Sequence, residues 1–183
     1  MKKDLGPVLA LYPMPLVIVG AMVGEKPNWL LAGHVGILGH DRVMVSLAKP
    51  HYTNRGIREA KCLSINMVDA PLLQKADYVG GVSGAKTDKS GVFPYTLSES
   101  GAPILDDSKL SMECLLEDIY ETPGFDNFIL TIRRTLADEA IINGYGKPDY
   151  AQFKPILFEM PGYTYLSTGR TVAKCLSLGR ELK

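Results

Sequence analysis

Two stretches of the 183-residue chain carry side chains whose types and spacing suit the binding of a small anion. In Ala48-Lys-Pro-His-Tyr-Thr-Asn-Arg55 a strand pattern ends, Lys49 adds a cation, and Thr53 stands where a helix can begin. A helix start presents unpaired backbone N–H groups and a partial positive charge, the two things a phosphate needs. In Ser83-Gly-Ala-Lys-Thr-Asp-Lys89 the glycine permits close backbone approach, while Ser, Thr and two Lys supply donors. Each stretch alone has a plainer reading: Thr53 caps its own helix, and Ser83 to Lys89 is a solvated surface loop. Two such stretches in one neutral chain point to a phosphorylated ligand, which spacing does not identify.

Other chemistry lacks support. Gly33, Gly36 and Gly39 are spaced G-x-x-G-x-x-G, which is not a dinucleotide fingerprint, and no P-loop string occurs. His34, His40 and His51 have no helical i, i+4 pairing and no acidic cluster between them, so they read as loop or surface residues and no metal site is expected. Ser83 lacks the G-x-S-x-G spacing of a nucleophile elbow. Cys62 and Cys114 lie in apolar strand patterns, where inert buried thiols are usual. With Cys175 they make an odd count without a C-x-x-C pair, so a reducing, cytoplasmic setting is expected.

The elements that must position the two stretches are mostly strands. Leu16 to Val23 reads as a buried strand, ended by a turn over Gly24 to Asn28 and followed by a partner starting at Trp29. Arg42 to Ala48 is rich in β-branched and apolar residues. Thr53 caps a short helix over 54–60, with Ile57 and Ala60 inward. Cys62 to Val68 alternates apolar and polar residues, as a half-buried strand does. Pro71 opens a helix that places Leu72, Leu73, Ala76 and Val79 on one face, before a Gly-rich loop over 80–91. Two long strands follow, Lys109 to Glu121 and Asn127 to Ile142, then short ones near Ile156 to Phe158 and Tyr163 to Leu166. Strands that run on without long intervening helices favour a closed or nearly closed antiparallel barrel, in a single domain over 1–183.

Composition excludes several classes. Lys and Arg number 20, as do Asp and Glu, so no net field draws a nucleic acid. A hydrophobic content of 46% is that of a folded chain and argues against disorder. The longest apolar run, Leu16 to Val23, is far short of a spanning helix, so no membrane partner is expected.

Taken together, the chain resembles the flavin reductase-like, FMN-binding split-barrel family, and its flavoredoxin branch in particular. The resemblance runs through Pro15-Leu-Val-Ile-Val, Asn28-Trp-Leu-Leu-Ala32, Val45-Ser-Leu-Ala-Lys-Pro-His-Tyr-Thr53, Ser64-Ile-Asn-Met, Ser83 to Lys89, Ala102-Pro-Ile and Met112-Glu-Cys-Leu-Leu. It implies a mainly β, six-stranded, antiparallel, Greek-key-like split barrel that forms a homodimer and holds FMN. On these positions Leu30, Leu31, Ala32 and Gly33 would line the isoalloxazine. Ser46, Leu47 and Ala48 would run beside the ring and ribityl chain, Tyr52 and Thr53 would meet the phosphate, and Ser83, Gly84, Asp88 and Lys89 would close over the cofactor. Family members often carry Thr at Leu31, Arg at Ala48 and Trp at His34; Lys49 could supply the charge that Ala48 lacks. Trp29 and Tyr52 are candidates to stack on flavin or nicotinamide, though packing in a core is the commoner reading of an aromatic.

A flavin site needs no protein acid or base, so no catalytic residue is assigned. The implied function is electron transfer by a flavin-dependent oxidoreductase, with NAD(P)H or a redox protein as donor. Two alternatives stay open: a reductase that takes free flavin as substrate, and a non-catalytic flavin- or haem-binding module. The tail from Thr171 to Lys183 has no assigned role beyond docking across the dimer.

Overall fold

The computed structural model describes residues 1–179, so the end of the tail given above, 180–183, lies outside the described residues. Its first strands are β1 (Met14–Pro15), β2 (Val17–Val23), β3 (Lys26–Ala32), β4 (Val35–Ile37) and β5 (Arg42–Ala48). After helix α1 (Thr53–Ala60) come β6 (Cys62–Met67), helix α2 (Leu73–Gly81), β7 (Tyr95–Leu97) and β8 (Pro103–Leu105). The long hairpin β9 (Leu110–Thr122) and β10 (Phe125–Ala137) follows, then a 3-10 turn (Glu139–Ile141), helix α3 (Tyr150–Phe153), β11 (Ile156–Glu159) and β12 (Thr164–Ser167).

The main sheet is antiparallel with the order β3-β2-β6-β9-β10-β5-β4. Its two ends, β3 and β4, are neighbours in sequence. The chain leaves β2 at Ala32, bends through Gly33 and His34, and joins β5 at Val35. Counted as one bent strand, Lys26 to Ile37 brings the sheet to six strands and curls it round to meet itself. Leu30 and Ala32 from one end then share an apolar interior with Val45 and Leu47 from the other, along with Leu63, Ile65, Phe128 and Leu130. Ile57 joins that interior from α1, which closes on the β2–β3 hairpin. Gly56 makes the contact possible, because a Cβ there would lie 2.2 Å from the Met22 carbonyl oxygen.

A second apolar cluster lies on the outer face of β2 and β3, where Trp29 and Ile18 pack against Ala76 and Val79 of α2, with Phe93 and Leu105. Trp29 is fully buried there, edge-on to Phe93 and Tyr95. It packs in the core and is not free to stack on a ligand. Strand β6 is covered on both faces, not one. Its polar face is satisfied internally: Ser64 Oγ donates to the Pro103 carbonyl at 2.5 Å, and Asn66 donates to the Ile18 carbonyl at 3.0 Å while accepting from the Leu105 amide at 3.1 Å.

Several boundaries differ from the sequence reading. The first hairpin turn is only Gly24 and Glu25, because β3 restarts at Lys26. Pro27 is tolerated because β3 pairs with β2 on one side alone. Helix α2 runs through Gly80 and Gly81, which the Gly-rich pattern assigns to a loop. Helix α1 begins at Thr53 with Tyr52 before it and no side-chain cap, so Thr53 does not cap; Ala60 is exposed. Strand β10 stops at Ala137, where the 3-10 turn takes over. Cys62 and Cys114 are buried free thiols, and burial pushes the Cys114 thiol up to about 12. Among the described residues no helix is long and apolar enough to cross a membrane, and no group of metal-ligating side chains forms.

Candidate functional site

The bend that closes the sheet leaves a gap. Up to Ala32 the bent strand bonds to β2, and from Val35 it bonds to β5; the Ser46 amide reaches the His34 carbonyl at 2.9 Å. Beyond that point β5 has β10 on one side only, through Leu47 and Ala48. The free edges of β3 and β5 therefore present backbone N–H and C=O groups on either side of the opening.

A hollow of about 280 Å³ occupies this opening. Its walls are Leu31 and Ala32 from β3, Gly33 from the bend, and Ser46, Leu47 and Ala48 from β5. His34, Phe125, Phe158 and Met160 complete the rim. Phe158 lies directly over Gly33, where a Cβ would come within 2.8 Å of its ring. The Tyr12 hydroxyl stands 2.8 Å from His34 Nε2 and steadies the imidazole beside the hollow.

His51 also lines a second hollow, of about 170 Å³, and so joins the two. This one brings Leu30, Tyr52 and Thr53 together with Ser83, Gly84 and Lys89. The two anion-friendly stretches, thirty residues apart in sequence, thus face one space. A third hollow, of about 230 Å³, continues past Tyr52, Gly84 and Lys89 to Asp88 and Lys26.

The polar end is held by a short network. The Asn28 side chain, buried in β3, donates to Thr53 Oγ1 at 2.7 Å. The Thr53 hydroxyl accepts that bond, so its own proton is free to be donated. Gly84 presses on the same Asn28: a Cβ at residue 84 would fall 2.1 Å from its Oδ1. Lys89 is 3% exposed, and its ammonium donates to the carbonyls of Val79 at 2.9 Å and Val82 at 3.1 Å, which ties it to the end of α2. One of its three N–H groups remains. Burial beside neutral carbonyls pulls the Lys89 pKa down to about 8. His51 is lowered too, by desolvation first and then by the Lys89 ammonium. Asp88 is held far below the usual carboxylate range by Lys26 at 2.6 Å and by the Ser90 amide.

Of the fourteen residues singled out from the sequence, thirteen line these three hollows. Lys49 does not. Its ammonium pairs with Glu121 and lies near Asp126, so it cannot supply the charge missing at Ala48. Strand β5 ends at Ala48, and Lys49 stands in the turn that follows it. Asn28, His51 and Phe158 line the site without having been singled out. Asn28 carried a readable signal, an amide inside an otherwise apolar strand. Phe158 carried none, since only the fold brings β11 to Gly33.

Solved structures share this architecture. A flavoredoxin from Methanosarcina acetivorans is 32% identical, matches with a TM-score of 0.95, and covers 100% of both chains. A flavoredoxin from Desulfovibrio vulgaris (Miyazaki F) is 31% identical with a TM-score of 0.90, covering 98% of this chain and 100% of that one. An uncharacterized protein of Aeropyrum pernix is 26% identical over 125 residues, and this chain spans about half of that relative's length, 48%. The family model described as a flavin reductase like domain matches residues 9–152. With most of its length matched, the chain belongs to the flavin reductase like domain family and, within it, to the flavoredoxin branch.

Proposed function

We propose that the protein is a homodimeric oxidoreductase of flavoredoxin type that binds FMN in this trough. It would take hydride or electrons from a reduced nicotinamide or a redox protein and pass them on. The observation that carries the reading is the junction at His51 of an apolar slot with free strand edges and a polar seat with cationic and hydroxyl donors.

The donor set fits such a ligand. At the polar end, the free proton of Thr53, the Ser83 hydroxyl and the remaining N–H of Lys89 suit a phosphate. The uncapped start of α1 adds backbone amides and a partial positive charge. At the other end, Leu31, Leu47, Ala48 and Phe158 exclude water from a flat aromatic ring, and the unpaired edges of β3 and β5 offer partners to its polar rim. Bound FMN would supply the redox chemistry; the chain supplies orientation, a dry slot and the local charge.

Titration of the purified protein with FMN, followed by flavin absorbance and fluorescence, tests this. Saturation at one FMN per chain, with flavin retained through gel filtration, is expected. Failure to take up added FMN overturns the proposal. Reduction of the bound flavin by NADH, NADPH and a reduced iron–sulfur carrier, mixed in separate stopped-flow runs, then identifies the donor.

A further inference from the structure

A hollow of about 410 Å³ lies on the outer face of the barrel and shares no residue with the three of the candidate site. Its floor is Ser111 of β9 with Arg134 and Leu136 of β10. One wall is the β7–β8 hairpin, and the other is the turn from Asp106 to Lys109. Sites for small molecules have volumes of about 300–1,000 Å³, so this one is large enough.

Strand alternation decides which side chains reach the floor. Along β9, Leu110, Met112 and Cys114 pack into the barrel, so Ser111 and Glu113 between them face out. On β10, Leu130 and Ile132 pack inward, but Arg133 is an extra residue: the register passes from Ile132 opposite Cys114 to Arg134 opposite Glu113. Such a bulge reverses the alternation, so Ala137 packs inward while Arg134 and Leu136 turn to the hollow. Ser111 lies opposite Leu136, which makes Arg134 its diagonal neighbour on the same face, about 7–8 Å away and within reach of a long side chain.

Both residues have donor capacity left. Ser111 is 2% exposed, and its hydroxyl has no hydrogen-bond partner among the described residues. A buried hydroxyl in that state costs stability unless a group in the hollow satisfies it. Arg134 gives its Nε–H to Glu113 at 2.7 Å, while its two terminal NH2 groups make no hydrogen bond among the described residues. A hydroxyl and a planar fork of donors on one floor suit a carboxylate.

A simple anion does not match the rest of the lining. Glu113 offsets Arg134, Asp69 at 3.0 Å offsets Lys109, and Asp106, Asp107 and Asp138 line the same hollow. Asp107 lies 3.7 Å from Lys75, and one oxygen of Asp138 accepts from the Ala140 amide at 2.8 Å, which leaves its other oxygen. The hollow therefore offers donors for a carboxylate at its floor and carboxylates for a cation above it, with Leu97, Ile104 and Leu136 as apolar surface. We propose that it binds a free α-amino acid, with the carboxylate on the Ser111 hydroxyl and the Arg134 fork and the ammonium toward Asp106 and Asp138. The site goes beyond the flavin reading and does not depend on it.

The test is a titration of the isotope-labelled protein, with FMN bound and without, using glycine and L-leucine, followed by the backbone amide NMR signals. Two analogues separate the charges of leucine: leucinamide lacks the carboxylate, and isocaproate lacks the ammonium. Saturable shifts are expected at Thr96 to Ser98 and at Asp106 to Ser111, with each analogue about fivefold weaker than leucine or more. Ser111→Ala removes an unpartnered hydroxyl, so the free protein should keep or raise its urea midpoint while leucine binds about tenfold more weakly. Asp106→Asn combined with Asp138→Asn should weaken leucine about threefold or more and should not weaken isocaproate. No saturable shift at these residues with either amino acid, equal binding of either analogue, or indifference of leucine to Ser111→Ala overturns the proposal, whatever the outcome with FMN. A lowered urea midpoint for Ser111→Ala overturns it too, since the hydroxyl would then have a partner in the free protein.

Discussion

The side-chain amide of Asn28 donates to the Thr53 hydroxyl at 2.7 Å, and this one bond joins the free edge of β3 to the first turn of α1. Both residues are buried, Asn28 at 5% and Thr53 at 1% exposed, so the bond is sheltered from competing water. It also orients the hydroxyl: with its lone pair engaged by Asn28, Thr53 can turn its proton toward an anion. Thr53→Val keeps the shape and removes the donor. A hydrogen bond to a charged group contributes about 1.5–3 kcal/mol, so FMN affinity should fall about tenfold or more. Combining Thr53→Ala with Lys89→Ala should weaken binding further. An unchanged dissociation constant in a fluorescence titration would remove Thr53 from the seat.

Lys89 gives the site a pH dependence. Its pKa is lowered from 10.5 to about 8 because the ammonium is buried among carbonyls. The folded chain therefore holds this proton less tightly than the unfolded chain. The contribution of Lys89 to stability is unfavourable below about pH 8 and improves as the pH rises from about 8 toward 10.5. Anion binding runs the other way, since the ammonium that attracts a phosphate is lost over the same range. Once the phosphate is fully ionised, above about pH 7, FMN affinity should hold to about pH 8 and fall beyond it, and Lys89→Met should abolish the fall. Calorimetry at pH 8.5 in buffers of different ionisation enthalpy should register proton uptake on binding, because a bound phosphate draws the proton back onto Lys89. Equal heats in the two buffers would refute this.

Gly84 is a steric prediction. A Cβ there would sit 2.1 Å from Asn28 Oδ1 and 3.0 Å from the Tyr52 ring, so Gly84→Ala must displace the amide that orients Thr53. Gly91 lies in the same loop with open space around it, and Gly91→Ala serves as the control. FMN affinity should drop about fivefold or more for the first and stay constant for the second, as expected when a residue held by one polar contact is moved. Matching affinities for both variants would show that the loop yields without cost.

Much of this was legible in the sequence, for identifiable reasons. β-Branched and apolar content located β5 and period-two alternation located β6, although β6 turns out to be covered on both faces. Residue types alone pointed to the stretches around Thr53 and Ser83 to Lys89, whereas Leu30 to Gly33 and Ser46 to Ala48 came only through the family resemblance. What stayed hidden was long-range. No local rule says that Phe158 covers Gly33, or that Lys26 to Ile37 is one strand serving both ends of the sheet. The expectation of Thr53 as a cap misses by one residue. The helix starts one residue earlier than the hydroxyl suggests, so Thr53 is already helical with Tyr52 before it, and its hydroxyl accepts from Asn28 of β3. Trp29 follows the commoner reading of an aromatic as core: β2 and β3 are covered on their outer face by α2 and Phe93, so the ring points away from the site.

Glu113 supplies a test of the scaffold away from the site. It is fully buried on β9, beneath the β7–β8 hairpin, and accepts from Arg134 Nε at 2.7 Å and from the Ser100 amide at 3.2 Å. Burial alone would raise its pKa, but the hydrogen bonds from Ser100, Arg134 and Ser98 outweigh it and hold the carboxyl down at about 2. The folded pKa lies below the ordinary 4.5, so the stabilisation is fully present above pH 4.5 and is lost as the pH falls toward 2. Glu113→Gln keeps the volume and removes the charge. Breaking a fully buried pair costs about 3–5 kcal/mol, and the partial exposure of Arg134 should reduce that to about 2 kcal/mol. Urea denaturation at pH 7 should show that gap, and at pH 2.5 most of it should have closed. A gap of constant size at both pH values would mean that packing of the hairpin, and not the carboxylate charge, holds β7 and β8 onto the barrel.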